Sequence, residues 1–220
     1  MKKTAVFAIL LLCLPLLISC AGREHQLPDY RCQSPLPSIV DPELEEVYGG
    51  RTDVCLAFLR PFDVAGWYES KMNSRRVRGQ TLKIGCTTCP AAGRDCTFTD
   101  NAGGCYNVSL FFDFAKIQED AQIRSAKLAL YVTSNPEALN RALLQARIIV
   151  GSDFQALPGA PERLGKWALY DITDFVCGCV NERRNSVMLD ISLPCGAGRM
   201  ELATLALDQR TEPAVIIEYR

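Results

Sequence analysis

The chain has a single histidine, His25, and shows neither an excess of positive charge nor a long apolar run beyond its N-terminal segment. Because His25 lies close to the N-terminus, a Ser-His-Asp or Cys-His catalytic site is excluded from the rest of the chain. Lysine and arginine number 24 against 25 aspartate and glutamate residues, and no basic tail or stripe stands out. This balance argues against binding to nucleic acid. We therefore expect a protein that is not an enzyme, with no catalytic residues, no cofactor and no bound metal.

The N-terminal segment has the pattern of an export signal. Two lysines precede the apolar residues 5–18, a stretch that is too short to cross a bilayer. Residues 17–20, Leu-Ile-Ser-Cys, resemble a bacterial lipobox, in which the cysteine becomes the lipidated mature N-terminus. The resemblance implies a signal peptide over residues 1–19 and a lipid attached to Cys20, which holds the protein at a membrane. Cleavage of an ordinary signal peptide near Cys20, which would leave a freely secreted protein, is the alternative.

The residue after the lipobox cysteine bears on localisation. In lipoproteins with such a box, Ala21 rather than aspartate at this position implies the bacterial outer membrane, with the protein facing the periplasm or the cell surface. Residues 20–52 contain several prolines and end near Gly49-Gly50, which predicts a semi-extended tether. Residues 53–220 are long enough for one domain with a substantial core.

Short apolar runs separated by glycine, proline and asparagine dominate the domain. Their length and their β-branched and aromatic content predict an all-β fold, an antiparallel β-sandwich or jelly roll with one or two short helices. Residues 136–144 and 173–180 are the helical candidates, with Thr173 as the capping residue of the second. The predicted strands cover residues 54–59, 81–84, 108–114, 126–132, 146–150, 166–172, 186–193, 202–207 and 214–219.

Several segments occur in an order that resembles a known family. They are Ser109–Phe114, Ile123–Val132, Trp167–Thr173 with Val176, Asn185–Leu189 and Pro213–Tyr219, and the motif Trp-x-x-Tyr-Asp-Ile-Thr in the third of them is the most specific. Together they resemble the DNRLRE-type domain of bacterial surface and polysaccharide-associated proteins. That domain is similar in turn to the β-sandwich of the transforming-growth-factor-beta propeptide. The resemblance covers roughly residues 53–219 and implies a β-sandwich. The cysteine-rich insert of residues 86–105 departs from the family pattern.

Cysteine is abundant, with eleven residues in the chain. Cys13 is lost with the predicted signal peptide and Cys20 carries the predicted lipid, so an odd number remains for disulfides. In an exported chain this density indicates a disulfide framework, whose connectivity the sequence leaves open, and at least one cysteine must stay outside it. The disulfide candidates are Cys32, Cys55, Cys86, Cys89, Cys96, Cys105, Cys177, Cys179 and Cys195.

The insert from Cys86 to Cys105 permits two interpretations. Four thiolates at short spacing, including a CxxC pair formed by Cys86 and Cys89, are what a zinc or iron–sulfur site needs. A polar, glycine-rich loop held by two disulfides accounts for the same cysteines, and an oxidising compartment favours it. The corresponding alternative function is a metal-binding or redox lipoprotein. A direct Cys177–Cys179 bond would close a very small ring, so separate partners are expected for these two residues.

Aromatic residues supply the remaining indication of function. Trp67 and Tyr68 begin a polar stretch that runs through Asn73 and Gly79, and their rings suit stacking on sugars. Packing in the core is the alternative for both residues, and it is the expected role of Trp167. We predict a non-catalytic binding or structural module of the cell envelope, whose partner is a polysaccharide or another envelope protein.

Overall fold

The computed structural model describes residues 41–49, 54–70, 73–86, 104–117, 121–134, 145–148, 154–156, 161–193, 199–204 and 207–220. Most of these residues are in β-strands. The strands are β1 (Cys55–Leu59), β2 (Asp63–Ser70), β3 (Asn73–Val77), β4 (Thr81–Cys86), β5 (Cys105–Asp113), β6 (Ile123–Ser134), β7 (Gln145–Ile148), β8 (Phe154–Ala156), β9 (Glu162–Leu164), β10 (Trp167–Asp171), β11 (Ser186–Ser192), β12 (Arg199–Ala203) and β13 (Ala214–Tyr219). Two helices, α1 (Pro42–Tyr48) and α2 (Thr173–Asn181), and a 3₁₀ turn at Phe114–Lys116 complete the described part.

The strands form two antiparallel layers that share β6. In the first layer the order is β1-β13-β6-β10-β9. In the second layer β3, β2, β5, β11, β7 and β8 follow one another, and β4 and β12 connect β5 to the C-terminal part of β6. The long strand β6 therefore changes layers along its length. The predicted all-β sandwich is confirmed.

The main core lies between the two layers. Alternate side chains of β5 and β11, such as Leu110 and Leu189, are buried against Leu128 of β6 and Ile217 of β13. Burial of apolar surface at roughly 25 cal/mol per Å² is the dominant stabilising contribution in such a core. Strand β13 is buried on both faces, as its continuous apolar sequence Ala-Val-Ile-Ile predicts for a central strand.

A second apolar cluster lies on the other side of the first layer, beneath α1. Leu44 and Tyr48 of the helix are buried there together with Trp167 and Ile216. Pro42 starts the helix, and the Asp41 carboxylate accepts a 2.9 Å hydrogen bond from the Glu43 backbone N–H. The predicted tether of residues 20–52 is therefore wrong for residues 42–48, because the i,i+4 pair of apolar side chains docks this segment on the sheet.

Trp167 is confirmed as a core residue, with no exposed surface. Its ring meets that of Tyr131 edge-on, with the ring centroids 5.2 Å apart. The predicted helix at residues 173–180 is also confirmed, but Thr173 does not cap it: Ile172 occupies the N-cap position, and Thr173 is the first residue of the helix. The predicted helix at residues 136–144 lies outside the described residues.

Candidate ligand-binding face

Trp67 and Tyr68, which begin the polar stretch noted in the sequence, lie within β2. The strands β2 and β3 form a hairpin in which Trp67 is paired with Arg76 and Tyr68 with Arg75. In the described part of the chain, β3 pairs with β2 alone and is an edge strand. Its side chains are largely exposed, so it lacks the apolar pattern by which a buried strand is recognised.

The two aromatic residues point to opposite faces of β2, because successive side chains of a strand alternate. Tyr68 packs against Tyr106, with ring centroids 5.0 Å apart, and the Arg75 guanidinium carbon lies 5.3 Å from its ring centre. A Cβ atom at Gly104 would overlap the Tyr68 ring, so the glycine is needed for this packing. Trp67 and Tyr68, both candidates for stacking on sugars, therefore cannot form one platform.

Trp67 is held by a chain of side-chain hydrogen bonds across three adjacent strands. Its indole Nε1–H donates to the Ser109 hydroxyl oxygen of β5 at 2.9 Å. The Ser109 hydroxyl in turn donates to Oδ1 of Asp190 in β11. Ser109 is 1% exposed, whereas Trp67 and Asp190 are partly buried. A buried hydroxyl is costly unless its hydrogen bonds are made, and here it is both acceptor and donor.

The strand register explains how the indole lies. Trp67 is directly opposite Asn107, whereas Ser109 is opposite Ala65 on one side and Asp190 on the other. To reach Ser109 the indole must lean along β2 towards its diagonal neighbour. The indole therefore extends along β2 from Trp67 towards the position where Ala65 and Ser109 are paired.

Polar side chains surround the indole on the same surface. Arg76, the lateral neighbour of Trp67 on β3, donates to both carboxylate oxygens of Asp63 at 3.2 and 3.0 Å. On the other side, the Asn107 amide nitrogen lies 3.5 Å from a Glu69 carboxylate oxygen. We call this surface the Trp67 face; it comprises Asp63, Trp67, Glu69, Arg76, Asn107, Ser109 and Asp190.

An aromatic pair extends the Trp67 face along β5. Phe111 lies two residues beyond Ser109, and the Phe62 ring centroid is 6.1 Å from that of Phe111. Phe62 is 62% exposed, an unusual value for a side chain of this size. The surface thus combines one exposed and two partly exposed aromatic rings with hydrogen-bonding groups, as surfaces that bind sugar rings do.

Most of the cysteines that the structure describes are in disulfide bonds. Cys86 and Cys105, the first and last cysteines of the insert, are bonded to each other and are paired in register between β4 and β5. Cys55 and Cys177 each also take part in a disulfide bond. The expectation of a disulfide-containing domain is confirmed. The Cys86–Cys105 bond leaves the insert without the four thiolates that the metal-site hypothesis requires.

Cys179 is a free thiol, which corrects its place among the disulfide candidates. The residue is 3% exposed, on a side of α2 that packs into the main core. Burial raises the pKa of the Cys179 thiol to about 11; the charge of Arg184 lowers it by a smaller amount, and that of Glu182 raises it slightly. A thiol that is buried and protonated at neutral pH is a poor nucleophile and a poor metal ligand.

Other predicted site residues lie outside the described residues: Cys20, Cys32, Cys89, Cys96 and Cys195. Lipid attachment at Cys20 stays a prediction. In the part of the chain that the structure describes, no helix is both long and apolar enough to span a membrane. The same residues contain no group of three or more His, Cys, Asp or Glu side chains arranged to hold a metal ion.

Sequence reasoning missed the partners of Trp67. Ser109 is 42 residues from Trp67 and Asp190 a further 81 residues along the chain, so no local pattern connects the three. The signal that the sequence does carry is a polar residue inside each of two apolar strands, Ser109 in β5 and Asp190 in β11. Comparison with known proteins adds no assignment, since no family model and no curated protein matches the chain.

Proposed function

We propose that this protein is a non-catalytic, lipid-anchored β-sandwich of the bacterial outer membrane that binds polysaccharide through the Trp67 face. The domain is proposed to be of the DNRLRE type, on the strength of the ordered sequence segments described above. Its lipid is attached at Cys20, and its binding surface is carried by the second layer of the sandwich.

The observation that carries this proposal is the indole of Trp67, which is partly exposed and is hydrogen-bonded to Ser109. Sugar rings bind proteins by stacking their apolar C–H face on an aromatic ring while their hydroxyl groups hydrogen-bond at the edge. Trp67 offers such a ring, and Asn107, Glu69 and Arg76 stand beside it with donors and acceptors. Phe62, exposed further along the same surface, provides a second ring for an adjacent sugar.

A surface of this kind binds weakly. A stacked ring and a few exposed hydrogen bonds contribute modest free energy, so we expect dissociation constants on the order of micromolar to millimolar. Clustering of lipidated copies on a membrane would raise the effective affinity for a long, repetitive polymer. Weak single-site binding therefore suits a protein that is held at an envelope.

A glycan array tests this proposal, with the mature chain labelled and applied as wild type, Trp67→Ala and Tyr68→Ala. Because the two residues point to opposite faces, we expect Trp67→Ala to lose binding and Tyr68→Ala to keep it. Circular dichroism and melting temperature verify that each variant is folded. Absence of binding to any glycan would favour a protein partner in the envelope, and release of shortened products from a polysaccharide would refute the non-catalytic assignment.

A further inference from the structure

The direction of the hydrogen bonds at Trp67 is fixed by chemistry. An indole N–H can only donate, and an ionised carboxylate can only accept. The Ser109 hydroxyl between them must therefore accept from Trp67 and donate to Asp190. A hydrogen bond to a charged acceptor is stronger than one between neutral groups. It also makes the Ser109 hydroxyl oxygen a better acceptor for the indole N–H. The hydrogen bonds from Trp67 to Ser109 and from Ser109 to Asp190 can run in one direction only, and they restrain the indole to one orientation.

The two tryptophans are held in different ways. Trp167 is fully buried, and its indole nitrogen has no hydrogen-bond partner in the described part of the chain, so packing alone sets its ring orientation. Trp67 is partly exposed and lies on a surface, where fewer neighbours restrict its rotamer. Its hydrogen bond to a buried hydroxyl supplies the restraint that packing supplies at Trp167.

We infer that Ser109 and Asp190 are positioning residues for Trp67, which hold its indole in one orientation as a preformed stacking platform. This inference rests on the proposed function and adds two residues to its site. Neither side chain needs to touch a sugar. A platform that is ordered before binding loses less conformational entropy when the sugar stacks, so it binds more tightly.

The indole N–H signals in a ¹⁵N-edited NMR spectrum test this inference without any sugar. The chain has two tryptophans, so two such signals are expected, and that of Trp167 is an internal control. In Ser109→Ala we expect the Trp67 signal to shift and its exchange with water to accelerate, with the Trp167 signal unchanged. Asp190→Ala should act in the same direction, while Asp190→Asn, which keeps an acceptor oxygen, should stay closer to wild type.

Titration with cellohexaose and chitohexaose then tests the consequence for binding. The loss of one hydrogen bond corresponds to affinity that is about threefold to tenfold weaker in Ser109→Ala, against complete loss in Trp67→Ala. Ser109→Thr, which retains the hydroxyl, should recover much of the affinity.

Each outcome distinguishes the inference from the proposed function. If neither hexasaccharide binds the wild type and the array is also empty, the proposed function fails, and the indole signals alone decide whether Ser109 positions Trp67. A Trp67 signal that is identical in wild type and in a folded Ser109→Ala variant would overturn the inference. Unchanged sugar affinity in Ser109→Ala, with binding lost in Trp67→Ala, would overturn it as well.

Discussion

Asp171 and Thr173 are joined by two hydrogen bonds at the junction of β10 and α2. The Asp171 Oδ1 atom accepts the Thr173 backbone N–H at 3.0 Å and the Thr173 hydroxyl at 2.7 Å. The Thr173 oxygen in turn accepts the backbone N–H of Ala126 in β6 at 3.0 Å. An N–H group at the start of the helix and one in the sheet are thereby satisfied, which fixes the angle at which α2 leaves the first layer.

The charge of Asp171 contributes to this junction. Burial alone would raise the pKa of Asp171, but the hydrogen bonds from Thr173 and the ion pair with Lys127 outweigh it and hold the pKa below its ordinary value. A carboxyl whose pKa is lower in the folded than in the unfolded state stabilises the fold fully at pH values above its unfolded-state pKa of about 3.9. This contribution is lost as the pH falls through the lower folded-state pKa.

We predict that Asp171→Asn lowers the free energy of unfolding at neutral pH and that the difference from wild type shrinks below about pH 4. The reason is that the Asp171 carboxyl takes up a proton first in the unfolded chain, near its ordinary pKa, and in the folded protein only as the pH falls through the lower folded-state pKa. Urea denaturation of both proteins at several pH values measures the difference. Asp174→Asn, which alters a carboxylate three residues further along the chain, is the matched control. A difference that stays constant down to the lowest pH would show that the charge of Asp171 contributes nothing.

Trp167 joins the first layer to α1, and its truncation should be severe. Trp167→Ala is expected to cost about 3–5 kcal/mol, since it removes a large buried ring and leaves a cavity beneath Leu44 and beside Tyr131. A domain of ordinary stability would be close to unfolding after such a loss. Trp167→Phe, which retains an aromatic ring, should lose less. Thermal melts of the three proteins decide, and an unchanged melting temperature in Trp167→Ala would contradict the core assignment.

Much of the sandwich could be predicted because its central strands are apolar. The strands β5, β6, β10 and β13 pass through the main core, and their β-branched and aromatic residues identify them from sequence. The hairpin β2–β3 escaped prediction because its outer strand is exposed and polar. Helix α1 was not predicted because about two turns of helix after a proline-rich segment are too short to show a helical period of apolar residues.

The candidate site could be predicted only in part, for a related reason. Trp67 was identified as an aromatic residue in polar surroundings, but its opposition to Tyr68 follows only once β2 is known to be a strand. Its contacts with Ser109 and Asp190 depend on the order in which distant strands are paired. The start of α2 shows the same limit. The sequence indicates Thr173 as the capping residue, whereas in the structure the Asp171 carboxylate accepts the backbone N–H of Thr173.

The Cys86–Cys105 disulfide should stabilise the ends of β4 and β5. It links residues 19 apart in sequence, and a loop of this size predicts a loss of about 3 kcal/mol when the bond is removed. We expect the double variant Cys86→Ser/Cys105→Ser to show faster hydrogen exchange at the ends of β4 and β5, while the central strands stay protected. Stoichiometric zinc or iron in wild-type protein purified without reductant would contradict the disulfide in favour of a metal site.

Lipid attachment is tested by changing the predicted acceptor. Cys20→Ala should release the protein from the membrane fraction, because the predicted lipid at Cys20 is its attachment to the membrane. Two-phase detergent partitioning compares the variant with wild type, and Cys32→Ala is a control for the loss of a neighbouring cysteine. Equal partitioning of Cys20→Ala and wild type into the detergent phase would contradict the lipoprotein assignment.

Affinity electrophoresis tests the central claim, binding of polysaccharide at the Trp67 face, most directly. The reference protein carries Cys20→Ala, which removes the lipid, and Trp67→Ala and Tyr68→Ala are each made in this background. The three proteins are run in native gels with and without the polysaccharide that binds on the array. The account predicts that the polymer slows the reference protein and the Tyr68→Ala variant, while a folded Trp67→Ala variant migrates as in the empty gel. Equal retardation of Trp67→Ala and the reference protein would contradict the account.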